Sequence, residues 1–149
     1  MITAWLLSVL LLSASAPCEP AVCRCLPYTP GEAGERADAI FTATVVAVAD
    51  PPQGNTGGPP RGRGVRLRVD AAWKGVESPD VLVIDGRTSC DIRWTPGERM
   101  LVYGRRGPDG ELRAGHCTGT RSVHHAAGFL ESLGAPARTW GESAPPGSR

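Results

Sequence analysis

The stretch VRLRVDAAWKG, Val65 to Gly75, decides the fold. Val65, Leu67, Val69, Ala71 and Trp73 fall on one face, and Arg66, Arg68, Asp70 and Lys74 on the other. Side chains alternate across a strand with period two, so this pattern predicts a half-buried antiparallel strand. One face turns to a core and the other to water. On this reading Trp73 belongs to the core face.

Working outward, AIFTATVVAVA (Ala39 to Ala49) is rich in Val, Ile, Thr and Phe, with apolar residues on both faces. It reads as a long strand buried on two sides. DVLVIDG (Asp80 to Gly86) is a third strand, and RMLVYGRR (Arg99 to Arg106), introduced by the turn TPGE, is a fourth. The Pro-Asp-Gly turn in RGPDGELRAG (Arg106 to Gly115) leads into a short fifth strand. Thr29 as cap and Pro30 in the first turn begin a weak helix over Thr29 to Asp38. From Thr120 the period changes: Val123, Ala126, Ala127, Leu130 and Leu133 recur at helical spacing, and Gly134 with Pro136 supplies a stop. Five strands and one packed helix predict a mainly β protein, a small closed barrel of the oligonucleotide/oligosaccharide-binding (OB) type, because closure removes exposed edges. A small sandwich is the alternative.

The chain has 149 residues and a net charge of +1, so no global field recruits nucleic acid. OB barrels bind single strands through exposed aromatics beside basic residues, and the expected burial of Trp73 argues against that use. The first sixteen residues, MITAWLLSVLLLSASA, are uncharged and end in an A-x-A pattern, which predicts a secretory signal peptide. Pro17 to Val22 then form an N-terminal extension. Lipid anchoring at Cys18 would require a small residue where Pro17 stands. No later stretch is apolar enough to cross a membrane. The loop Asp50 to Gly64, DPPQGNTGGPPRGRG, is expected to be mobile, with Arg61 and Arg63 solvated. Residues 135–149, after the domain at 23–134, are expected to be a disordered tail.

The five cysteines decide what the chain can be. Cys23 and Cys25 form a C-x-C pair, which is neither a zinc spacing nor a redox C-x-x-C motif. His124 and His125 are neighbours whose side chains would point about 100° apart on a helix, so a surface role is expected for both. His116 lies beside Cys117. In an oxidising compartment two disulfides account for four of the cysteines. That count leaves Cys18 as an unpaired thiol, with nothing nearby to lower its pKa.

Several segments together resemble one family. C-R-C-L-P (Cys23 to Pro27), RADAIFTATVVAV (Arg36 to Val48), VRLRVDAAWKG, T-S-C-D around Cys90, PGERMLVYG and H-C-T-G-T-R around Cys117 are similar to the netrin-like domains. These include the tissue inhibitors of metalloproteinases (TIMPs) and their secreted bacterial relatives. The resemblance spans Cys23 to Gly134 and implies an OB-type barrel with its N-terminal segment pinned by disulfides. By position it pairs Cys23 with Cys90 and Cys25 with Cys117. A third bridge and a second, smaller domain of the animal inhibitors have no counterpart here.

In those inhibitors the first cysteine is the mature N-terminus. Its α-amino nitrogen and carbonyl oxygen chelate the protease's zinc, and the next residue enters the specificity pocket. The resemblance therefore makes Cys23 and Arg24 the candidate protease contacts. An α-amino group with a pKa near ~8 loses its proton readily and can serve as a ligand. A cut after Ala16 would instead leave Pro17 to Val22 ahead of Cys23, and an amide nitrogen does not ligate zinc in this way.

No nucleophile elbow, spaced carboxylate pair or H-E-x-x-H motif is present, so no enzymatic activity is expected. No cofactor is implied. The expectation is a secreted, extracellular binding module whose partner is a protein, a zinc metalloprotease in the inhibitory reading. The alternative is a non-inhibitory interaction module without zinc chelation. A monomer is expected, with a Cys18-linked dimer as the variant state, and no membrane association after signal removal.

Overall fold

The computed structural model describes residues 23–49, 62–86 and 90–141. Five strands close a barrel: β1 (Ala39–Ala49), β2 (Arg63–Lys74), β3 (Asp80–Asp85), β4 (Arg99–Arg106) and β5 (Leu112–Arg113). β1 pairs antiparallel with both β2 and β4, and β2 pairs antiparallel with β3. β3 meets β5 in parallel through Ile84 and Arg113, and β5 returns antiparallel to β4. The mainly β, OB-type barrel expected from the pattern is the fold observed. Two two-residue strands, β6 (Arg121–Ser122) and β7 (Arg138–Thr139), add to it, and the helices are α1 (Pro30–Arg36) and α2 (Ala127–Leu133).

β1 shows why its sequence is apolar on both faces. Phe41, Ala43 and Val45 point into the barrel with Leu67, Val69, Val83, Met100 and Val102. Ile40 points outward to a second cluster with Ala33, Leu101, Tyr103 and Ala126, covered by Phe129, Leu130 and Leu133 of α2. Thr42 is also buried, and its hydroxyl donates to Asp70 Oδ2 at 2.9 Å. A buried hydroxyl without that acceptor would be destabilising.

The alternation of β2 holds from Val65 to Val69 and then breaks. Thr42 pairs with Ala71 but Ala43 with Val69, which leaves Asp70 extra; Phe41 pairs with Ala72 but Ile40 with Lys74, which leaves Trp73 extra. These bulges bend the strand and reassign its faces. Ala72, not Ala71, enters the barrel core. Trp73 is therefore outside the barrel, in the cluster under α2, with its indole N–H donating to the Gly134 carbonyl at 2.8 Å. Strict period two could not show this, because each inserted residue flips everything after it.

Three further expectations are revised. The helix expected from Thr120 begins only at Ala127, because Arg121 and Ser122 are held extended against Leu101 and Met100 of β4. A single 3-10 turn, Val123–His125, joins β6 to α2, and Gly134 ends the helix at φ 66°. Part of the expected tail is structured. Arg138–Thr139 pair with Ala72 and Ala71 of β2, and Trp140 packs against the barrel core while its backbone N–H donates to the Asp70 carbonyl at 2.9 Å. Finally, β2 starts at Arg63, inside the expected loop. The rest of that loop, the signal segment, the N-terminal extension with Cys18, and residues 142–149 lie outside the described residues. Among the described residues no helix is long and apolar enough to cross a membrane.

Candidate functional site

Cys23 is bonded to Cys90, in the segment between β3 and β4, with the two Cα atoms 4.8 Å apart. Cys25 is bonded to Cys117, in a 3-10 turn (His116–Thr118) after β5, with the Cα atoms 5.1 Å apart. The bridges lie side by side, with Cys23 Sγ 3.8 Å from Cys25 Sγ. All four sulfurs fall within 4.8 Å of one another, so the structure gathers a potential four-sulfur ligand set that the C-x-C spacing did not suggest. Metal ligation needs thiolates, and here each sulfur is engaged in an S–S bond.

Both anchors are themselves held firmly. After Cys90, Ile92 and Trp94 turn into the barrel core. The Trp94 indole N–H donates to Asp85 Oδ2 at 2.7 Å, and Arg63 Nη2 donates to the same oxygen at 3.0 Å. Arg63 Nη2 also reaches the Ile92 carbonyl at 3.3 Å and Asp91 at 3.6 Å. Arg63, expected to be solvated, instead ties β2 and β3 to the Cys90 segment. Burial pushes the Asp85 carboxyl upward, opposed by the Trp94 hydrogen bond, while Asp91 adds to the rise and Arg63 opposes it.

The Cys117 turn is fixed from the other side. Thr120 Oγ1 accepts from the Tyr103 N–H at 3.0 Å, and Thr118 Oγ1 donates to the Gly115 carbonyl at 2.8 Å. Gly119, at φ 105°, follows the turn; a Cβ there would meet Ala33 at 3.3 Å and the Tyr103 ring at 3.4 Å. Glycine satisfies both the backbone angle and the close approach. Beyond Cys25 the Tyr28 hydroxyl donates to the His116 carbonyl at 3.2 Å. Thr29 then caps α1 in a reciprocal capping box with Glu32. The Glu32 carboxyl is held below its usual range, first by the Thr29 backbone N–H.

Between these fixed points the segment presents side chains to solvent. Arg24 is exposed, and Leu26 is 80% exposed. An open groove of about 560 Å³ is lined by Tyr28, Asp91, Arg93, His116, Arg121 and His125 among others. Arg121 in its lining stacks 3.6 Å over the Phe129 ring, with Nε donating to the Gly119 carbonyl at 3.0 Å. His124 and His125 are exposed, and neither belongs to a metal-ligating group among the described residues.

The structure thus gathers Cys23, Cys25, Cys90 and Cys117 into one knot with Arg24 at its surface. The expected sites omitted Leu26, Arg63, Asp85 and Trp94. Leu26 carried a faint signal, a lone apolar residue between Cys25 and Pro27. The others meet only through tertiary contact. Compared with known proteins, the chain matches no protein-family model and no curated protein.

Proposed function

We propose that this protein is an exported binding module of the netrin-like/TIMP-like type whose disulfide-braced N-terminal segment engages a protein partner, a zinc metalloendopeptidase in its inhibitory form. The observation that carries the reading is the double anchoring of C-R-C. Its two cysteines are bonded to separate supports, and Arg24 and Leu26 stand exposed on that segment. An exposed apolar side chain on a pinned backbone loses little conformational entropy when a partner covers it. Bridged cysteines agree with an oxidising compartment. Zinc chelation needs a free α-amino group at Cys23, so the mature N-terminus selects between inhibition and non-inhibitory binding. The long cationic side chain of Arg24, unsuited to an apolar specificity pocket, favours the second.

The test is N-terminal sequencing and intact mass of the exported protein, followed by titration against a panel of zinc endopeptidases. A chain beginning at Cys23 that blocks a zinc enzyme stoichiometrically supports inhibition. A chain beginning at Pro17 with no effect on any of them removes the chelating mechanism and leaves the interaction module.

A further inference from the structure

We propose that the Arg24–Cys25 peptide bond is a bait for serine proteases whose primary specificity pocket carries a carboxylate, and that the protein inhibits such enzymes by being cut and rejoined in place. This rests on the reading above only in taking the braced segment as the contact surface. It needs neither zinc nor a free amino group at Cys23.

Arg24 is exposed, and a guanidinium entering a carboxylate pocket forms paired, charge-assisted hydrogen bonds. Leu26, two residues beyond the bond, offers an apolar contact to the leaving-group side of the enzyme cleft. What distinguishes the bond from an ordinary tryptic site is its anchoring. Cys23, one residue before it, is bonded to Cys90; Cys25, which supplies its nitrogen, is bonded to Cys117. The Cys90 segment is fixed by Ile92 and Trp94 in the barrel, and the Cys117 turn by Thr118 and Thr120.

The chemistry follows from that anchoring. The protease's serine oxygen attacks the Arg24 carbonyl carbon, the bond to the Cys25 nitrogen breaks, and the protease's histidine hands the proton to that nitrogen. In an ordinary substrate the new amine leaves and water completes hydrolysis. Here the amine stays tethered through Cys117, close to the acyl group tethered through Cys23. Its effective concentration is high, so it attacks the ester, expels the serine oxygen and restores the peptide. Slow leakage to water gives an Arg24 carboxylate and a Cys25 ammonium, with one water added and the molecule still in one piece.

Trypsin is the probe, used on the full exported chain, both active and with its nucleophilic serine replaced by alanine so that the chain is not digested. Calorimetry with inactive trypsin should show tight binding that Arg24→Lys keeps and Arg24→Ala weakens by about 100-fold, the size of a central anchor's loss. Unchanged melting of Arg24→Ala will verify its fold, and chymotrypsin should not bind. With active trypsin, non-reducing mass spectrometry should find a one-water-heavier form cut at Arg24–Cys25 that still inhibits and partly reverts. Steady turnover at Arg24, or equal binding by wild type and Arg24→Ala, would overturn the proposal. Zinc-endopeptidase inhibition without trypsin binding removes this inference and spares the reading above; trypsin binding without zinc-enzyme inhibition keeps this inference and removes only the zinc-chelating form of that reading.

Discussion

Phe41 and Cys25 are both held in place, by different physics. Phe41 is fully buried in the barrel, in one cluster with Val69, Val83 and Val102, and its side chain is held by apolar packing alone. Cys25 is half-buried between the exposed Arg24 and Leu26, and it is held by a covalent bond to a residue 92 positions away. Burial is stabilising only where enough chain surrounds a side chain. A surface segment lacks that enclosure, so rigidity there must come from bonds and hydrogen bonds. The barrel is thus a support, and its exposed rim can be kept stiff while remaining available to a partner.

The widest separation of the two regions should come from removing the bridges. Each closes a long loop, with sequence separations of 67 and 92, and each contributes roughly 3–5 kcal/mol by restricting the unfolded chain. Replacing all four cysteines by serine should lower the melting temperature markedly, and an unchanged temperature would mean that the barrel alone sets stability. Phe41→Ala attacks the other region. A loss of about 3–5 kcal/mol in urea unfolding is expected, while any partner binding by the folded fraction persists. Binding lost in proportion would show that the rim is not an independent unit.

A smaller effect is expected where the two regions join. Thr29→Ala removes the side-chain cap of α1 and should destabilise by about 1 kcal/mol, read by chemical denaturation. The subtlest test concerns Asp85, which links the Cys90 segment to β2. Its folded-state pKa is raised, so the stability it contributes is fully present below the unfolded value near ~3.9 and is lost as pH rises through the folded value. The difference in unfolding free energy between wild type and Asp85→Asn should therefore shift toward the variant as pH increases. A pH-independent difference would remove Asp85 ionisation as the source. Glu32 acts with the opposite sign, because its lowered pKa gives stability that is lost as pH falls through the folded value.

Residues whose roles depend on neighbours in the chain were legible. β1, β3 and β4 fall where Val, Ile and Phe runs between turn residues place them, and Thr29 and Pro30 state the start of α1 outright. Residues whose roles depend on partners far along the chain were not. Trp73 was misplaced because a bulge is a property of two strands, and nothing in VRLRVDAAWKG records the residue of β1 that each position will face. Arg63 read as loop because its carboxylate partner, Asp85, is a β3 residue. The short strand at Arg138–Thr139 has no apolar run; it forms because β2 offers it free backbone groups at Ala71 and Ala72.

By itself the sequence determined a mainly β chain of strands set between turns, with a barrel or a small sandwich as its candidate architectures and enough cysteine to staple either, because alternation and turn chemistry are local properties. The tertiary structure alone decided that Cys23, Cys25, Cys90 and Cys117 form one knot, that Trp94, Asp85 and Arg63 hold its support, and that Arg24 and Leu26 are left facing solvent. Those outcomes depend on which distant segments meet when the barrel closes, and closure is settled by packing over the whole chain.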